Sequence, residues 1–204
     1  MPRRAGTTLP GCSSRSAAWT SPQRRGSHVT RDRTDSLSET HLTETVVWNE
    51  VFPLLLTRAL LPKLRSTAQR GPVLVEFVGS QTKNAAPPTM VVYSATKAFL
   101  QVLARGLDNE ERLWGAPSGV RFAYLDLGPV NSASNHLAPS LISPSSPAFA
   151  RTLVDKIGCG RRDYAPYIVH ALMASVESLL PEGWVDRWYV KLMSDVHAAA
   201  DKAT

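Results

Sequence analysis

Apolar residues recur near helical spacing between positions 37 and 69, in LSETHLTETVVWNEVFPLLLTRALLPKLRSTAQ, where Val47, Val51, Leu54, Leu55 and Leu61 mark one face. The spacing predicts one long helix with a fault in it. Pro53 has no N–H, so the carbonyl of Asn49 loses its normal helical partner and a kink is expected there. Gly71 and Pro72 end the segment, and the pattern changes. VLVEFVGS (73–80) is β-branched and apolar, and reads as a short buried strand. QTKNAAPPT (81–89) reads as a loop. A second helical pattern runs from about Val91 to Leu113, closed by Gly115 with Pro117 beyond. GVRFAYLDLG (119–128) reads as a second strand. A loop rich in Pro, Ser and Asn then runs to about Pro147, and helices are expected at 148–158, 166–180 and 184–201. Short apolar strands alternating with helices predict an α/β domain, a parallel sheet flanked by helices, with no internal repeat.

Charge changes the picture only at one end. The formal net charge of +6 is carried by residues 1–34, where seven arginines face Asp32 alone, while the remaining 16 basic and 16 acidic side chains cancel. A nucleic-acid partner, which needs a basic patch on a folded surface, is therefore not expected. Residues 1–35 are also rich in Ser, Thr and Gly. They read as a disordered or wrongly joined basic tail, with an organellar targeting segment as the alternative. Cys12 and Cys159 are the two cysteines, too few for a disulfide framework or a cysteine-based metal site, and a reducing compartment is the simpler context. No stretch is long and apolar enough to predict a membrane span.

The chemistry is concentrated in Tyr93-Ser-Ala-Thr-Lys97. Four residues apart on a helix, Tyr93 and Lys97 share a face. A nearby ammonium favours the phenolate, so Lys97 is expected to lower the Tyr93 pKa and fit it for proton exchange with an alcohol or carbonyl oxygen. Ser80 ends the first strand, at the edge of a parallel sheet where ligands bind, and could hold a substrate carbonyl. The freed Asn49 carbonyl could hold an ordered water. Asn131 and Ser132 serve either a site or a loop cap. GCGRRDY (158–164) is expected to be a flexible turn with a solvated arginine pair. His136 and His170 show no partner pattern for a metal, and no metal site is assigned.

Asn49, then Ser80, then Tyr93-x-x-x-Lys97, in this order and context, resembles the short-chain dehydrogenase/reductase superfamily. N-x-x-x-P-x-x-L-T-R-A-L-L-P (49–62) and Y-S-A-T-K-A-F (93–99) are most similar to its 17β-hydroxysteroid dehydrogenase and very-long-chain 3-oxoacyl-CoA reductase branch. The resemblance covers residues 37 to about 180. It implies a doubly wound, Rossmann-like sheet and an NADP- or NAD-dependent carbonyl reduction, of a 3-oxoacyl thioester or steroid-like ketone. It implies Tyr93 as acid/base, Lys97 as the residue that tunes it and binds the nicotinamide ribose, Ser80 at the substrate oxygen, and Asn49 in the proton relay through its carbonyl. The family's Pro-Gly-x-Val-x-Thr beside the nicotinamide is represented by Gly128, Val130 and Ser132, with Leu127 in place of the proline. It also implies a substrate wall from 129 to 180, a homodimer through the helices at about 37–69 and 91–113, and a cytoplasmic or peripheral endoplasmic-reticulum location.

The chain departs from that pattern upstream. The Gly-rich turn that cradles the cofactor pyrophosphate is absent, and no glycine occurs between Gly26 and Gly71. Residues 36–204 are accordingly expected to be the C-terminal catalytic part of such a domain, a partial sheet with its N-terminal strands missing. Two readings follow: a reductase, or a truncated, inactive relative that at most dimerises through its long helices.

Overall fold

Val73–Val78 and Val120–Leu125 lie side by side as parallel strands β1 and β2, in register from Val73 opposite Val120 to Val78 opposite Leu125. The computed structural model describes residues 32–114, 118–133, 135 and 137–201. The basic segment at 1–31, the helix stop at 115–117 and His136 lie outside the described residues. A third parallel strand, β3 (Asp163–Tyr164), extends the sheet in the order β1-β2-β3. This corrects the expectation of a flexible turn at 158–164. Gly158 and Gly160 turn the chain at φ +77° and +80°, the Arg162 carbonyl accepts from the Tyr124 N–H at 2.8 Å, and the Asp126 N–H donates to the Tyr164 carbonyl at 2.9 Å. Nor is Arg162 merely solvated, since its Nη1 donates to Asn109 at 3.1 Å. A two-residue strand has no periodicity to read.

The long helical segment is real, and its fault takes a specific form. Helix α1 (Glu39–Val46) starts at Ser38, whose hydroxyl accepts from the His41 N–H. A turn of π-helix spans Val47–Val51, with the Phe52 N–H bonded to the Val47 carbonyl, and α2 (Phe52–Ala68) continues with Pro53 in its first turn. The widened turn absorbs the missing N–H of Pro53 without ending the helix. Such π turns are rare and gather at functional sites. The segment read as a loop after β1 contains a short helix, α3 (Thr82–Ala85), before α4 (Val91–Trp114). Helices α5 (Ser146–Lys156), α6 (Ile168–Leu179) and α7 (Glu182–Asp201) lie close to their expected bounds.

One face of the sheet carries the main core. Phe77, Val120, Phe122 and Tyr124 pack against Leu100 and Ala104 of α4, with Leu61 and Leu64 of α2 alongside. The Phe77 and Phe122 rings stack at 6.3 Å, and burying each contributes about 2–3 kcal/mol. The other face is covered over β2 and β3, where Leu153 of α5 meets Ala123, Leu125 and Tyr164.

Below the core, the C-terminal half of α4 buries charge. The fully buried Asp108 accepts from Arg121 at 2.7 Å, Arg112 at 3.1 Å and the Phe122 N–H at 3.2 Å. Burial alone pushes its carboxyl up, but the bonds from Arg121 and Phe122, with Arg112 nearby, outweigh this and hold it below the usual carboxylate value. Glu111 reaches Arg65 at 2.5 Å and ties α4 to α2.

Strand β1 is an edge among the described residues. The Val73 N–H donates to the Gly119 carbonyl at 3.0 Å and the Gly79 N–H to the Leu125 carbonyl at 2.9 Å. Odd-numbered residues therefore address β2, and Leu74, Glu76 and Val78 turn their backbone groups away from it. The Val78 side chain is 56% exposed.

Candidate active site

The carboxyl ends of β1 and β2 meet at Gly79–Ser80 and Asp126–Gly128, joined where the Gln81 N–H donates to the Leu127 carbonyl at 2.8 Å. The N-terminal turns of α4 close over this edge and bring Tyr93 and Lys97 to it. The loop before them is strained, with Ala86 at φ +41° and the β-branched Thr89 at φ +67°.

Tyr93, Ser80 and Lys97 come together. Burial raises the Tyr93 pKa, and a side-chain hydrogen bond with Ser80 pulls part of it back. This differs from the expectation that Lys97 lowers it. Lys97 Nζ lies 5.3 Å from the centre of the Tyr93 ring and donates instead to the Val78 carbonyl at 3.0 Å. The ammonium thus flanks the ring and gives one of its three N–H groups to the sheet edge. Lys97 is itself buried, and desolvation lowers its pKa to about 8. The Ser80 hydroxyl also accepts from the Thr82 hydroxyl at 3.0 Å and the Thr82 N–H at 3.3 Å.

Asn49 is buried in the π turn, which packs against α4. Its Nδ2 donates to the Thr45 carbonyl at 3.0 Å. A cavity of about 20 Å³ opens at Tyr93, lined also by Thr45, His41 and Met90, with enough room for one water. Gly128 follows β2, and a Cβ there would come within 2.5 Å of the buried His170 ring, so its bareness is used by the protein's own core. Beyond it, the Val130 carbonyl accepts from Asn135 Nδ2 at 3.2 Å, and Ser132 exchanges backbone hydrogen bonds with Asn135. Asn131 bridges to Ser145.

Sequence reasoning missed several residues that shape this edge. The Tyr124 hydroxyl is bonded to the Ser80 backbone. Lys83 and Asp126 form a buried ion pair at 2.7 Å, with Lys83 Nζ 5.2 Å from the centre of the Tyr124 ring. His170 accepts from Gln81 Nε2 through its carbonyl at 2.7 Å, and its Nε2 lies 3.0 Å from the Ile142 carbonyl. The usable signals were a phenol at the buried end of a mostly apolar strand and a glycine just before the candidate serine.

A model of the short chain dehydrogenase family matches residues 27–140, more than half of the chain. The chain belongs to the short-chain dehydrogenase family. A very-long-chain 3-oxoacyl-CoA reductase-like protein of Arabidopsis thaliana is 27% identical over 160 residues, covering 74% of this chain and 50% of that protein. The very-long-chain 3-oxoacyl-CoA reductase of Kluyveromyces lactis is 30% identical over 149 residues, covering 68% of this chain and 41% of that one. The chain thus spans half or less of the length of these curated relatives. Among solved structures, a bulky-bulky ketone specific alcohol dehydrogenase from Comamonas testosteroni superposes with a TM-score of 0.55 at 17% identity, over 77% of this chain and 61% of that one. This likeness places the three-stranded parallel sheet and its helices within the Rossmann-like fold of the family.

The family's nicotinamide cofactor can be tested against the residues present. The nicotinamide-ribose end fits, because a phenol hydroxyl and an ammonium stand together at the carboxyl edge of parallel strands. The pyrophosphate end has no such fit among the described residues. β1 leads into a helix of four residues, and the glycine after β2 is filled by His170.

Proposed function

We propose that this chain carries the proton-donating half of an NAD(P)H-dependent carbonyl reductase. The observation that supports it most is the meeting of Tyr93, Ser80 and Lys97 at one sheet edge. Burial keeps Tyr93 as the phenol near neutral pH, the acid form that a reduction consumes. The Ser80 hydroxyl holds the substrate oxygen beside it while charge develops there, and Tyr93 passes its proton to that oxygen. Lys97, with its pKa lowered to about 8, sits where the N–H groups not bonded to the Val78 carbonyl can meet ribose hydroxyls. When bound, the nicotinamide supplies the hydride. The one-water cavity beside Tyr93 is lined by Thr45, to whose carbonyl Asn49 is bonded, and provides a route for proton return. Gly128, Val130 and Ser132 would border the nicotinamide, and the cofactor class is NADP or NAD. A 3-oxoacyl thioester or a steroid-like ketone is the substrate class, after the relatives named above.

The test compares NADPH with reduced nicotinamide mononucleotide by calorimetry on the folded chain. With only the ribose end provided for, the two bind alike. Tyr93→Phe then removes any carbonyl reduction by at least about 100-fold. Unchanged turnover in that variant refutes the acid/base assignment.

A second reading is favoured by the surface. Trp48, Phe52 and Leu55 are 42%, 50% and 53% exposed along one side of the π turn and α2, an apolar stripe suited to a partner helix. We propose that α2 and α4 pair with a second copy, whether or not the chain turns over substrate. Among the described residues no helix is long and apolar enough to cross a membrane, and a cytoplasmic or peripheral membrane location is proposed with the reductase reading.

A further inference from the structure

We propose that Tyr124 is a positioning residue that sets Ser80 against Tyr93, and that Gly79 exists to let it do so. The inference rests on Ser80 and Tyr93 being the reacting pair. Tyr124 lies in β2 opposite Phe77, three residues short of Ser80 in register. Its side chain reaches forward past the end of β1. There its hydroxyl accepts from the Ser80 N–H at 2.9 Å and donates to the Ser80 carbonyl at 3.2 Å. One hydroxyl thus grips both backbone groups of the candidate residue, at the point where β1 leaves the sheet. The ring is 1% exposed, so the grip does not compete with water. It passes directly over Gly79, where any Cβ would overlap the phenol carbons and hydroxyl. The Lys83–Asp126 pair braces the ring from its face.

The consequence is a division of labour on Ser80. Tyr124 fixes its backbone, Thr82 bonds its hydroxyl, and that hydroxyl acts on Tyr93 by lowering its pKa against the effect of burial. Releasing the backbone lets the hydroxyl swing away with Thr82, and Tyr93 loses the bond that favours its ionised form. Tyr124→Phe removes one oxygen and keeps the buried ring, so the experiment isolates the grip.

The titration of Tyr93 is followed by NMR on the full chain with 13Cζ-labelled tyrosine, its signal assigned by Tyr93→Phe. Tyr124→Phe is expected to move the Tyr93 midpoint upward, in the direction of Ser80→Ala and no further, and to add nothing in a Ser80→Ala background. Gly79→Ala, which keeps the hydroxyl but displaces the ring, gives the same upward shift. An unmoved midpoint in Tyr124→Phe while Ser80→Ala shifts it overturns the proposal. So does an equal shift in the presence and absence of Ser80, or a Tyr124→Phe chain that no longer folds. If Ser80→Ala itself has no effect, the pairing of Ser80 with Tyr93 fails, and the reductase reading fails independently of Tyr124.

Discussion

Lys97 offers a measurement that needs neither cofactor nor substrate. Burial lowers its pKa from 10.5 to about 8 in the folded chain, while the unfolded chain exposes it to water at its ordinary value near 10.4. Between these values the unfolded chain holds a proton that the folded chain has released, so stability rises with pH across that window. Below about pH 8 both states are protonated and the buried ammonium costs its full amount, about 3 kcal/mol at about 1.4 kcal/mol per pH unit. Raising the pH from about 7 to about 9.5 recovers about 2 kcal/mol of it. Lys97→Met keeps the stem and carries no proton. Its own stability includes the loss of the bond to the Val78 carbonyl, but that loss contributes no comparable slope in pH. Urea unfolding of both proteins, followed by tryptophan fluorescence, should show the native chain gaining about 2 kcal/mol on the variant over that range. A difference that stays constant within about 0.5 kcal/mol refutes the reasoning, and would mean that Lys97 is solvated in solution.

Other expectations concern the frame and the surface. Asp108→Ala leaves the buried Phe122 N–H without its acceptor and removes the carboxylate that three half-exposed arginines share, and should cost about 1–3 kcal/mol in chemical denaturation. Gly119→Ala places a Cβ 3.1 Å from the Ala68 carbonyl at φ +74°, and should lower stability by about 1–2 kcal/mol, read as a fall in Tm. Paired Trp48→Ala and Phe52→Ala should shift the chain toward monomer in sedimentation velocity; an unchanged mass would exclude this stripe as the contact.

How much of this was legible depended on length of pattern. The α4 helix carries its apolar rhythm over 24 residues, and β1 and β2 are six-residue, mostly apolar runs broken only by Glu76 and Arg121, so each could be read directly. Tyr93, Lys97 and Ser80 were readable as a set because helix spacing and strand ends place them regardless of detail. The fault at Asn49–Pro53 was legible as a lost bond, but its outcome as a π turn was not, because kink and bulge both answer the same missing N–H. β3 escaped because its two residues sit among glycines and arginines, and pair only through Arg162 and Tyr164 backbone groups. The direction of the Tyr93 shift was misjudged because sequence shows that a lysine is near and cannot show which atom its ammonium faces. The buried Lys83–Asp126 pair joins residues 43 apart in the chain, a proximity that no local pattern contains.

The alternating backbone of β1 leaves a signature in time as well as in space. Amides at Val73 and Gly79 are bonded to the neighbouring strand, and in register Val75 and Phe77 lie between them, so these four open to solvent only when the sheet itself gives way. The amides of Leu74, Glu76 and Val78 point off the edge and exchange hydrogen for deuterium without that event. Along a single strand, fast and slow positions therefore interleave one by one. Any polypeptide that lies down against β1, from another copy or another protein, slows the even-numbered set and leaves the odd-numbered set as it was.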